Sequence, residues 1–599
     1  MDNKQLKNRS EIENKFKWDI ESMYPDNSAW ETDYEKALKL SEDYKKYQGQ
    51  LLKSAKSLFS ALQDRDKIGQ ISEKVYVFAR MKRDEDNTVN TYQAMADKCH
   101  SLLSKISANL SFFTPELLTA SYDTVENFLK DEPDLQIYTH LLEATFAEKK
   151  HILSEIEETL LANIGEVTGA TNDIFTMLNN ADLTFEEIKD CDGNSHMLSH
   201  GNFISYMESG DRVLRKNAYE STYTAYKNHI NTIATAYNYN TKLDSVSARI
   251  RKYDGSLSAS LSGDNIPVSV YHNLIKIVNE ALPTVYKYME LRKKNLGIND
   301  LRMYDVYAPL VKLPKVSYSY DDAVSLMKEA LAPLGEDYIQ KLSAGVNDGW
   351  IDVYENTGKT SGAYSFGSYD SKPFILLNFS NMLKDVFTLV HEMGHSMHSL
   401  YTRAVQPFAY GGHSIFTAEV ASTVNESLLI NHLLKNATDP DFKKYLIALH
   451  IEEFRTTLFR QTMFAEFELL THEAVERGES LTAQYLCDEY EKLNKKYFGS
   501  EMIYDDFIRY EWSRIPHFYN SFYVYQYATG YSAATAISQK ILSEGEKARD
   551  SYLKFLTTGE SNYPVELLKI AGVDMSKPEP IKLAMNKFAE LVEELATLS

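Results

Sequence analysis

Residues 380–404 read SNMLKDVFTLVHEMGHSMHSLYTRA. Apolar residues recur in this stretch at three- and four-residue steps, which predicts an amphipathic helix. We expect Ser380 or Asn381 to cap its first turn, because side-chain oxygens at that position accept hydrogen bonds from free backbone N–H groups. The helix carries His391 and His395, and their spacing makes this segment the first candidate for chemistry.

The two histidines belong to the pattern His-Glu-x-x-His. Four residues apart on a helix, His391 and His395 lie one turn apart on the same face and can both reach a single metal ion. Glu392 is expected to take a proton from water at that ion, and Gly394 leaves room for the close approach of substrate or of another helix. The pattern therefore predicts one zinc ion per chain in a peptidase site.

A catalytic zinc ion needs a third protein ligand and an open position for water. The extended metzincin pattern does not supply the ligand, since position 398 is His and position 401 is Tyr. The thermolysin-like pattern is absent as well, because Thr423 stands four residues after Glu419. His398 is expected to pack within the helix, since a fourth protein ligand would close the site against water.

A second amphipathic helix is predicted over residues 415–435, IFTAEVASTVNESLLINHLLK. Glu419 and Glu426 lie seven residues apart, two turns along one face, among apolar residues where a lone carboxylate is costly to bury. We predict that Glu419 is the third metal ligand and that Glu426 supports a ligand histidine. The alternative is an exposed acidic helix face.

Helical periodicity also dominates most of the remaining chain, so the predicted fold class is mainly α. The exception is residues 351–379, where two short β-prone runs, Ala363–Phe366 and Pro373–Phe379, predict a hairpin or small sheet beside the motif helix. The length of 599 residues implies two or more domains. A polar, turn-rich stretch at 190–195 places the boundary near residue 200, which gives an N-terminal helical domain (1–200) and a catalytic domain (201–599).

Composition excludes some functional classes. Acidic residues outnumber basic ones by 85 to 64, so a net charge of -21 disfavours binding to nucleic acid or to anionic membranes. Three widely separated cysteines, Cys99, Cys191 and Cys487, predict no disulfide framework and favour a reducing compartment. The polar N-terminus and the absence of a long apolar run predict a cytoplasmic protein without a membrane segment.

Six segments together resemble peptidase family M3, and within it the oligoendopeptidase F branch. The similarity extends over nearly the whole chain and is densest from about 350 to 535. The segments are KFKWDIESMYP (15–25), GAYSFGSYDSKPFILLNFS (362–380), HEMGHSMHS (391–399), AYGGH (409–413), FTAEVASTVNE (416–426) and IPHFYNSFYVYQYATGYSAA (515–534).

The resemblance implies zinc bound by His391, His395 and Glu419, with Glu392 as general base. It also implies a zincin-like, elongated helical molecule whose two lobes enclose a deep channel. Such a channel admits unstructured oligopeptides and excludes folded proteins.

Other residues occupy positions similar to functional positions in the family. His517, Tyr523 and Tyr525 are candidates for stabilising the oxyanion that forms on the attacked carbonyl; the alternative is that they are core aromatics. Tyr364, Gly412 and His413 are candidates for contact with the substrate. For the loop histidine the alternative is a solvated side chain.

The predicted function is a zinc-dependent endopeptidase that cleaves internal bonds of short oligopeptides. One alternative is an M3-like carboxypeptidase or dipeptidase, which would need a positioned group for a chain terminus. Another is a peptide-binding scaffold without activity. Glu392 argues against the scaffold, because binding alone requires no base beside the metal.

Overall fold

The computed structural model describes residues 6–311 and 316–598, and most of them are helical, which confirms the predicted fold class. Short strands form two small sheets. The chain divides into two compact units, each built from three segments. Unit 1 consists of Met1–Lys149, Val316–His432 and Ile537–Val573, and unit 2 of Lys150–Lys315, Leu433–Ala536 and Asp574–Ser599.

The boundary predicted near residue 200 lies inside the first segment of unit 2. The compact units are therefore not consecutive halves of the chain. The predicted division into an N-terminal domain (1–200) and a catalytic domain (201–599) assigns the catalytic residues to the second part of the sequence. That assignment stays a prediction.

Unit 1 begins with a helical region whose core consists of aromatic and aliphatic side chains, among them Trp18, Trp30 and Phe78. The long second helix starts where Ser54 accepts a hydrogen bond from the Ser57 backbone N–H. The helices of this region are α1 (Asn27–Asp43), α2 (Ala55–Glu85), α3 (Asn90–Leu110), α4 (Phe113–Leu118), α5 (Tyr122–Asp131) and α6 (Thr139–Ala147).

Unit 2 contains most of the remaining helices and one two-stranded hairpin. Its elements are α7 (Glu155–Thr168), α8 (Ala170–Met177), β1 (Ile188–Lys189), β2 (Ser195–His196), α9 (Phe203–Met207), α10 (Arg212–Asn228), α11 (Ile230–Ile250), α12 (Ser256–Ser262), α13 (Val268–Glu280) and α14 (Leu282–Asn295). After the second segment of unit 1, unit 2 continues with α19 (Pro440–Glu453), α20 (Arg460–Glu476), α21 (Ala483–Phe498) and, at the C-terminus, α25 (Glu579–Thr597). The turn-rich stretch at 190–195 forms the tip of the hairpin.

The sheet of unit 1 lies directly before the motif helix in sequence. Its strands are β3 (Ile351–Asp352), β4 (Tyr364–Phe366) and β5 (Phe374–Leu376), in the order β3-β5-β4. β3 is parallel to β5 and β4 is antiparallel to it. The two predicted β runs are confirmed: Pro373–Phe379 contains the central strand β5, and Ala363–Phe366 contains the edge strand β4.

The motif helix, α17 (Leu383–Arg403), packs its apolar face against β4 and β5. The predicted caps are wrong: Met382 is the N-cap residue, and Asn381 has a left-handed φ of 66°. The Asp385 carboxylate instead accepts hydrogen bonds from the backbone N–H groups of Ser380 and Met382. A carboxylate inside the first turn thus binds the backbone N–H groups of residues that precede the helix.

The remaining helices of unit 1 include the second predicted ligand helix. They are α15 (Tyr320–Ala330), α16 (Glu336–Asn347), α18 (Ile415–Asn436), α23 (Glu546–Leu556) and α24 (Pro564–Ile570). The last turn of α18 lies in unit 2, and α22 (Tyr525–Glu544) begins in unit 2 and ends in unit 1. Helical periodicity was predicted over most of the chain outside 351–379. Residues 499–524 depart from it: Gly499, with φ of 78°, ends α21, and Ile508–Arg514 and Pro516–Tyr519 form 3-10 turns.

No helix in the described part of the chain is long and apolar enough to cross a membrane, in agreement with the prediction. All three cysteines are free; Cys99 and Cys487 are buried and Cys191 is exposed.

Candidate metal centre

Two imidazoles of α17 point at one another across one helical turn. The Nε2 atoms of His391 and His395 lie 3.2 Å apart, and the two rings are nearly perpendicular, at 80°. Two unprotonated ring nitrogens repel each other at this distance. A cation or a shared proton between them removes the repulsion.

Glu419 of α18 completes a triangle of donor atoms. Its Oε2 atom lies 3.5 Å from Nε2 of His391 and 3.5 Å from Nε2 of His395. The hydrogen bond from His395 is the main reason why the pKa of Glu419 falls to about 2, and the charges of both histidines add to that effect. Across the described ranges, this is the one group of histidine, cysteine and carboxylate side chains whose donor atoms all lie within 4.8 Å of one another.

The triangle fits zinc. Tetrahedral coordination with bonds of about 2.0–2.1 Å places neighbouring donor atoms about 3.3–3.4 Å apart, close to the three separations found here. Two imidazole nitrogens and one carboxylate oxygen form a donor set that catalytic zinc sites use. The three side chains keep exposed fractions of 26%, 23% and 42%, so water can reach the fourth position.

Glu426 orients His391 by a contact with the ring nitrogen Nδ1. Its Oε1 atom lies 3.3 Å from Nδ1 of His391, so Nδ1–H donates to the carboxylate and Nε2 faces His395 and Glu419. Burial lowers the pKa of His391, but the hydrogen bond to Glu426 and the charges of Glu426, Glu392 and Glu419 outweigh it and raise the pKa to about 9. The strength of this bond keeps the ring fixed in the orientation that a metal ion needs.

We predict that Glu426→Gln lowers zinc affinity by about 10- to 100-fold, because a neutral amide oxygen is a weaker acceptor for Nδ1–H than a carboxylate. Competition with a fluorescent zinc chelator measures the affinity. Glu590→Gln, which changes a glutamate that is 71% exposed, is the control and should bind zinc as the parent protein does. Equal affinity in both variants would contradict the role assigned to Glu426.

Glu392 lies on α17 beside the triangle of donor atoms and contacts β4 through Ser365. Its side chain is buried, with 8% exposure. Burial raises its pKa, while the charges of His391 and His395 and the backbone N–H of Ser365 in β4 lower it. The hydroxyls of Ser365 and Ser396 lie 2.8 Å apart and tie β4 to α17 at this point. The sheet edge therefore fixes the position of the carboxylate.

At Gly394 the helices α17 and α18 are in close backbone contact. A Cβ atom on it would lie 2.6 Å from Cα of Ser422 and 2.8 Å from the carbonyl oxygen of Ala421. Asn425 also donates a hydrogen bond to the carbonyl of Val390, 3.2 Å away. Since real Cβ atoms do not approach backbone atoms this closely, any larger side chain separates the helices that carry the donor atoms.

Gly394→Ala is accordingly expected to lower the free energy of unfolding by about 1–3 kcal/mol and to weaken zinc binding. Urea denaturation and zinc titration measure the two effects. The control is Gly165→Ala on the exposed helix α7, where a Cβ meets nothing within 4 Å; there alanine should stabilise the helix by up to about 1 kcal/mol. If both variants gain stability, the close contact of α17 with α18 is not tight.

His398 and His413 lie beside the centre and not in it. Their ring centroids are 3.6 Å apart, and His398 also packs against Phe555. Nε2 of His413 lies 2.9 Å from Oγ1 of Thr402, which donates its own proton to the carbonyl of Leu556. Nε2 of His413 therefore carries a proton and donates it, and burial lowers the pKa of this ring to about 3.

The other candidates for substrate contact lie in unit 1 as well. Gly412 is exposed and follows the 3-10 turn Phe408–Tyr410. The hydroxyl of Tyr364, in the edge strand β4, donates to Oδ2 of Asp84, 2.9 Å away. Burial and the charge of Asp84 raise the pKa of this phenol. Its hydroxyl is thus engaged within the protein, while the edge of β4 beside it faces no further strand of the sheet.

The aromatic candidates lie in unit 2 and divide into two environments. His517 and Tyr523 lie with ring centroids 6.1 Å apart, almost parallel, and Tyr527 stands edge-on to Tyr523 at 5.5 Å. Tyr525 points elsewhere: it is 2% exposed and its ring packs against Tyr271 at 5.1 Å. The structure thus brings together His517, Tyr523 and Tyr527, which we call the aromatic cluster, and does not bring Tyr525 into it.

Sequence reasoning missed Tyr527. Tyr523 precedes α22, which begins at Tyr525, so helical spacing could not show that Tyr527 faces Tyr523. Partial burial lowers the pKa of His517, so its imidazole is neutral near pH 7 and carries one N–H donor.

Comparison with known proteins identifies related sequences over almost the whole chain. The family model described as Peptidase family M3 matches residues 205–587, and the one described as Oligopeptidase F matches residues 116–185. Oligopeptidase PepF of Bacillus subtilis is 45% identical over 594 residues, which cover 99% of this chain and 89% of the relative. Group B oligopeptidase PepB of Streptococcus agalactiae is 43% identical, with 99% and 98% covered.

Solved structures resemble the chain equally broadly. A putative peptidase from Chlamydophila abortus superposes with a TM-score of 0.93 at 37% identity, over 99% of this chain and 100% of the other. The oligoendopeptidase-F from Enterococcus faecium superposes with a TM-score of 0.75, also at 37% identity, over 96% and 99%.

Proposed function

The chain belongs to peptidase family M3, and from this premise we propose that it is a zinc-dependent endopeptidase that hydrolyses internal bonds of short, unstructured oligopeptides. The observation that carries the proposal is the convergence of three donor atoms, from His391, His395 and Glu419, with the buried carboxylate of Glu392 beside them. The names of the relatives, oligopeptidase and oligoendopeptidase, support the substrate class.

A zinc ion held by these residues supplies Lewis acidity, which makes a water molecule easier to deprotonate and a carbonyl easier to attack. Glu392 takes one proton from the attacking water as the water oxygen forms its bond to the scissile carbonyl carbon. Burial favours this role because it raises the pKa of the carboxyl, so that the group can give the proton back. When the C–N bond breaks, Glu392 delivers the proton to the leaving amine, and the protein returns to its starting state.

The aromatic cluster is the proposed source of hydrogen bonds to the oxyanion. Tyr523 and Tyr527 carry phenol donors, and His517 carries an N–H donor, on one partly exposed surface of unit 2. Donors held in place before the reaction stabilise developing negative charge without reorganisation. Tyr525 was predicted for the same role and stays a candidate, although the burial of its ring favours Tyr527.

Substrate contact by Tyr364, Gly412 and His413 stays part of the proposal. The edge strand β4 supports it, because an extended peptide can pair with the free edge of a sheet beside the catalytic carboxylate. The two-lobed channel implied by the resemblance also stays a prediction. So do the cytoplasmic location and the exclusion of nucleic acid as a partner.

The catalytic part is proposed to be residues 201–599. Its predicted start is supported by the two matched stretches, 116–185 and 205–587, which lie on either side of residue 200. All proposed metal ligands and the aromatic cluster fall in the second stretch.

Digestion of a peptide of about ten residues, acetylated and amidated at its ends, separates an endopeptidase from an end-trimming enzyme. Mass spectrometry of the products is expected to find internal cleavage that a chelator abolishes and added zinc restores. Trimming of only the unblocked version of the same peptide would establish the carboxypeptidase or dipeptidase alternative. If neither version is cleaved, the chain acts as a binding scaffold.

A further inference from the structure

A strained residue stands next to the aromatic cluster. Phe522 has a left-handed backbone with φ of 58°, and it is one of four non-glycine residues with positive φ in the described part of the chain. Asparagine tolerates this conformation, but a bulky aromatic residue is an outlier there. Phe522 is also buried, with 2% exposure, so its neighbours must hold the chain in place.

One of those neighbours is Glu468 of α20. The backbone N–H of Phe522 donates to Oε1 of Glu468, 2.9 Å away. The side chain of Glu468 is fully buried, and within 6–311 and 316–598 its second oxygen, Oε2, has no hydrogen-bond partner. Burial raises the pKa of this carboxyl well above its usual range, and the charge of Asp244 adds to the shift.

A buried carboxyl with a single hydrogen bond is costly, and fold stability alone does not account for it. Among the residues that the structure describes, no basic side chain pairs with Glu468, and the one hydrogen bond to its carboxyl comes from the backbone of the strained residue. We therefore attribute the burial of this carboxyl to the hydrogen bond that it accepts from the Phe522 N–H.

A second carboxylate holds the preceding residue. The hydroxyl of Ser521 donates to Oδ2 of Asp244 on α11, 2.6 Å away, and Nε2 of His472 lies 3.3 Å from the same oxygen. His472 donates from Nδ1 to the carbonyl of Glu468, 2.7 Å away, and its ring packs against that of Phe522 at 4.4 Å. His472 thus bridges the Asp244 carboxylate and the backbone of Glu468, and the two acids hold two consecutive residues of the loop.

The held residues lead directly into the cluster. Tyr523 follows Phe522, and a change of the Phe522 backbone from the left-handed to an extended conformation would redirect the Tyr523 side chain. His517 and Tyr527, which contact Tyr523, lie on either side of the held pair in sequence. The direction of the Tyr523 phenol therefore depends on what stabilises the conformation of Phe522.

We propose that Glu468, assisted by Asp244, is a positioning residue that holds Ser521 and the strained backbone of Phe522 in place and thereby sets the direction of the Tyr523 phenol within the aromatic cluster. The inference rests on the proposed function, in which the aromatic cluster stabilises the oxyanion. Neither acid touches the substrate. Each acts through the loop backbone and Tyr523.

The test compares Glu468→Gln with Glu468→Leu. Glutamine keeps a carbonyl oxygen that accepts the Phe522 N–H and, like the neutral carboxyl, carries no charge, whereas leucine has a similar volume and no acceptor. We expect kcat to fall by about 10-fold or more in Glu468→Leu, a fraction of the roughly 100-fold loss that follows removal of an oxyanion donor. In Glu468→Gln, kcat stays close to that of the parent protein. KM and zinc content are unchanged in both.

Two further variants keep the test decisive. Ser521→Ala removes the bond to Asp244 with little risk to folding and should lower kcat in the same direction, by a smaller factor. Lys252→Gly relaxes another left-handed residue of unit 2, with φ of 62°, and should leave kcat unchanged. If Glu468→Leu does not fold, Ser521→Ala alone decides: an unchanged kcat overturns the proposal.

Outcomes for the two proposals are separable. A folded Glu468→Leu protein with normal kcat and a lower melting temperature would make Glu468 merely structural, as would equal losses in the leucine and glutamine variants. Tyr523→Phe tests the proposed function itself: if it leaves kcat unchanged, the role of Tyr523 in the oxyanion site fails. A lower kcat in Tyr523→Phe together with a normal kcat in Glu468→Leu would contradict only the positioning role of Glu468.

Discussion

Glu392→Gln is expected to retain one zinc ion per chain and to lose about 100- to 10,000-fold in kcat. Glutamine has nearly the same shape as glutamate and can still accept the Ser365 N–H, so the structure around the centre should persist. An amide, however, cannot take a proton from water or return one to the leaving amine. Steady-state kinetics on a blocked peptide, with zinc measured by mass spectrometry, check both parts.

The loss is expected in kcat rather than in KM, because Glu392 acts on the attacking water and not on the bound substrate. A control at a distance is Glu329→Gln, which changes a side chain that is 69% exposed, and it should be fully active. Substantial activity in Glu392→Gln would mean that another group serves as the base. Loss of zinc from the variant would mean that Glu392 supports the metal instead.

The second large effect is expected on removal of a metal ligand. His395→Ala and Glu419→Ala each leave two donor atoms of the triangle, and two ligands hold zinc far more weakly than three. Zinc content should fall from about one per chain to a small fraction, and peptide cleavage should fall with it to the level of the chelated parent protein. Atomic absorption on dialysed protein, followed by activity at increasing zinc concentration, measures the loss.

His100→Ala is the matched control, since it removes an imidazole from an exposed position on α3. It should keep zinc and activity. The ligand variants should also lose the increase in melting temperature that zinc gives the parent protein, because an ion that binds only the folded state stabilises it. Full zinc occupancy in Glu419→Ala would show that another residue is the third ligand.

The triangle of donor atoms was accessible from sequence because local geometry determines most of it. The spacing of His391 and His395 places both on one helical face, and Glu419 stands on a second helix with strong apolar periodicity. The close crossing of these helices at Gly394 was foreseen only as room for a neighbour. Which backbone fills that room depends on packing between distant segments, which periodicity does not encode.

Other features could not be predicted from the sequence, because they also depend on packing between distant segments. The cap of α17 comes from Asp385 within the helix, because Asn381 adopts a left-handed conformation that removes it from the capping position. Tyr525 and Tyr527 are the same residue type, so the sequence does not distinguish them. The position at which α22 begins determines which of the two side chains faces the aromatic cluster. Glu468 is an ordinary helical glutamate in sequence, and its burial under Phe522 becomes visible only in three dimensions.

The division of the chain into two compact units could not be predicted from the sequence either. A sequence boundary assumes that domains are continuous, whereas each compact unit here consists of three segments. Contacts between residues hundreds of positions apart create this arrangement, and no local composition change marks every crossing.

The most direct test of the central claim is a crystal of the zinc-loaded protein, measured on both sides of the zinc absorption edge. We predict a single anomalous peak at about 2.0–2.2 Å from Nε2 of His391, Nε2 of His395 and a carboxylate oxygen of Glu419, with a solvent molecule as the fourth ligand. A peak bound by other residues, or a fourth protein ligand that closes the site, would contradict the account.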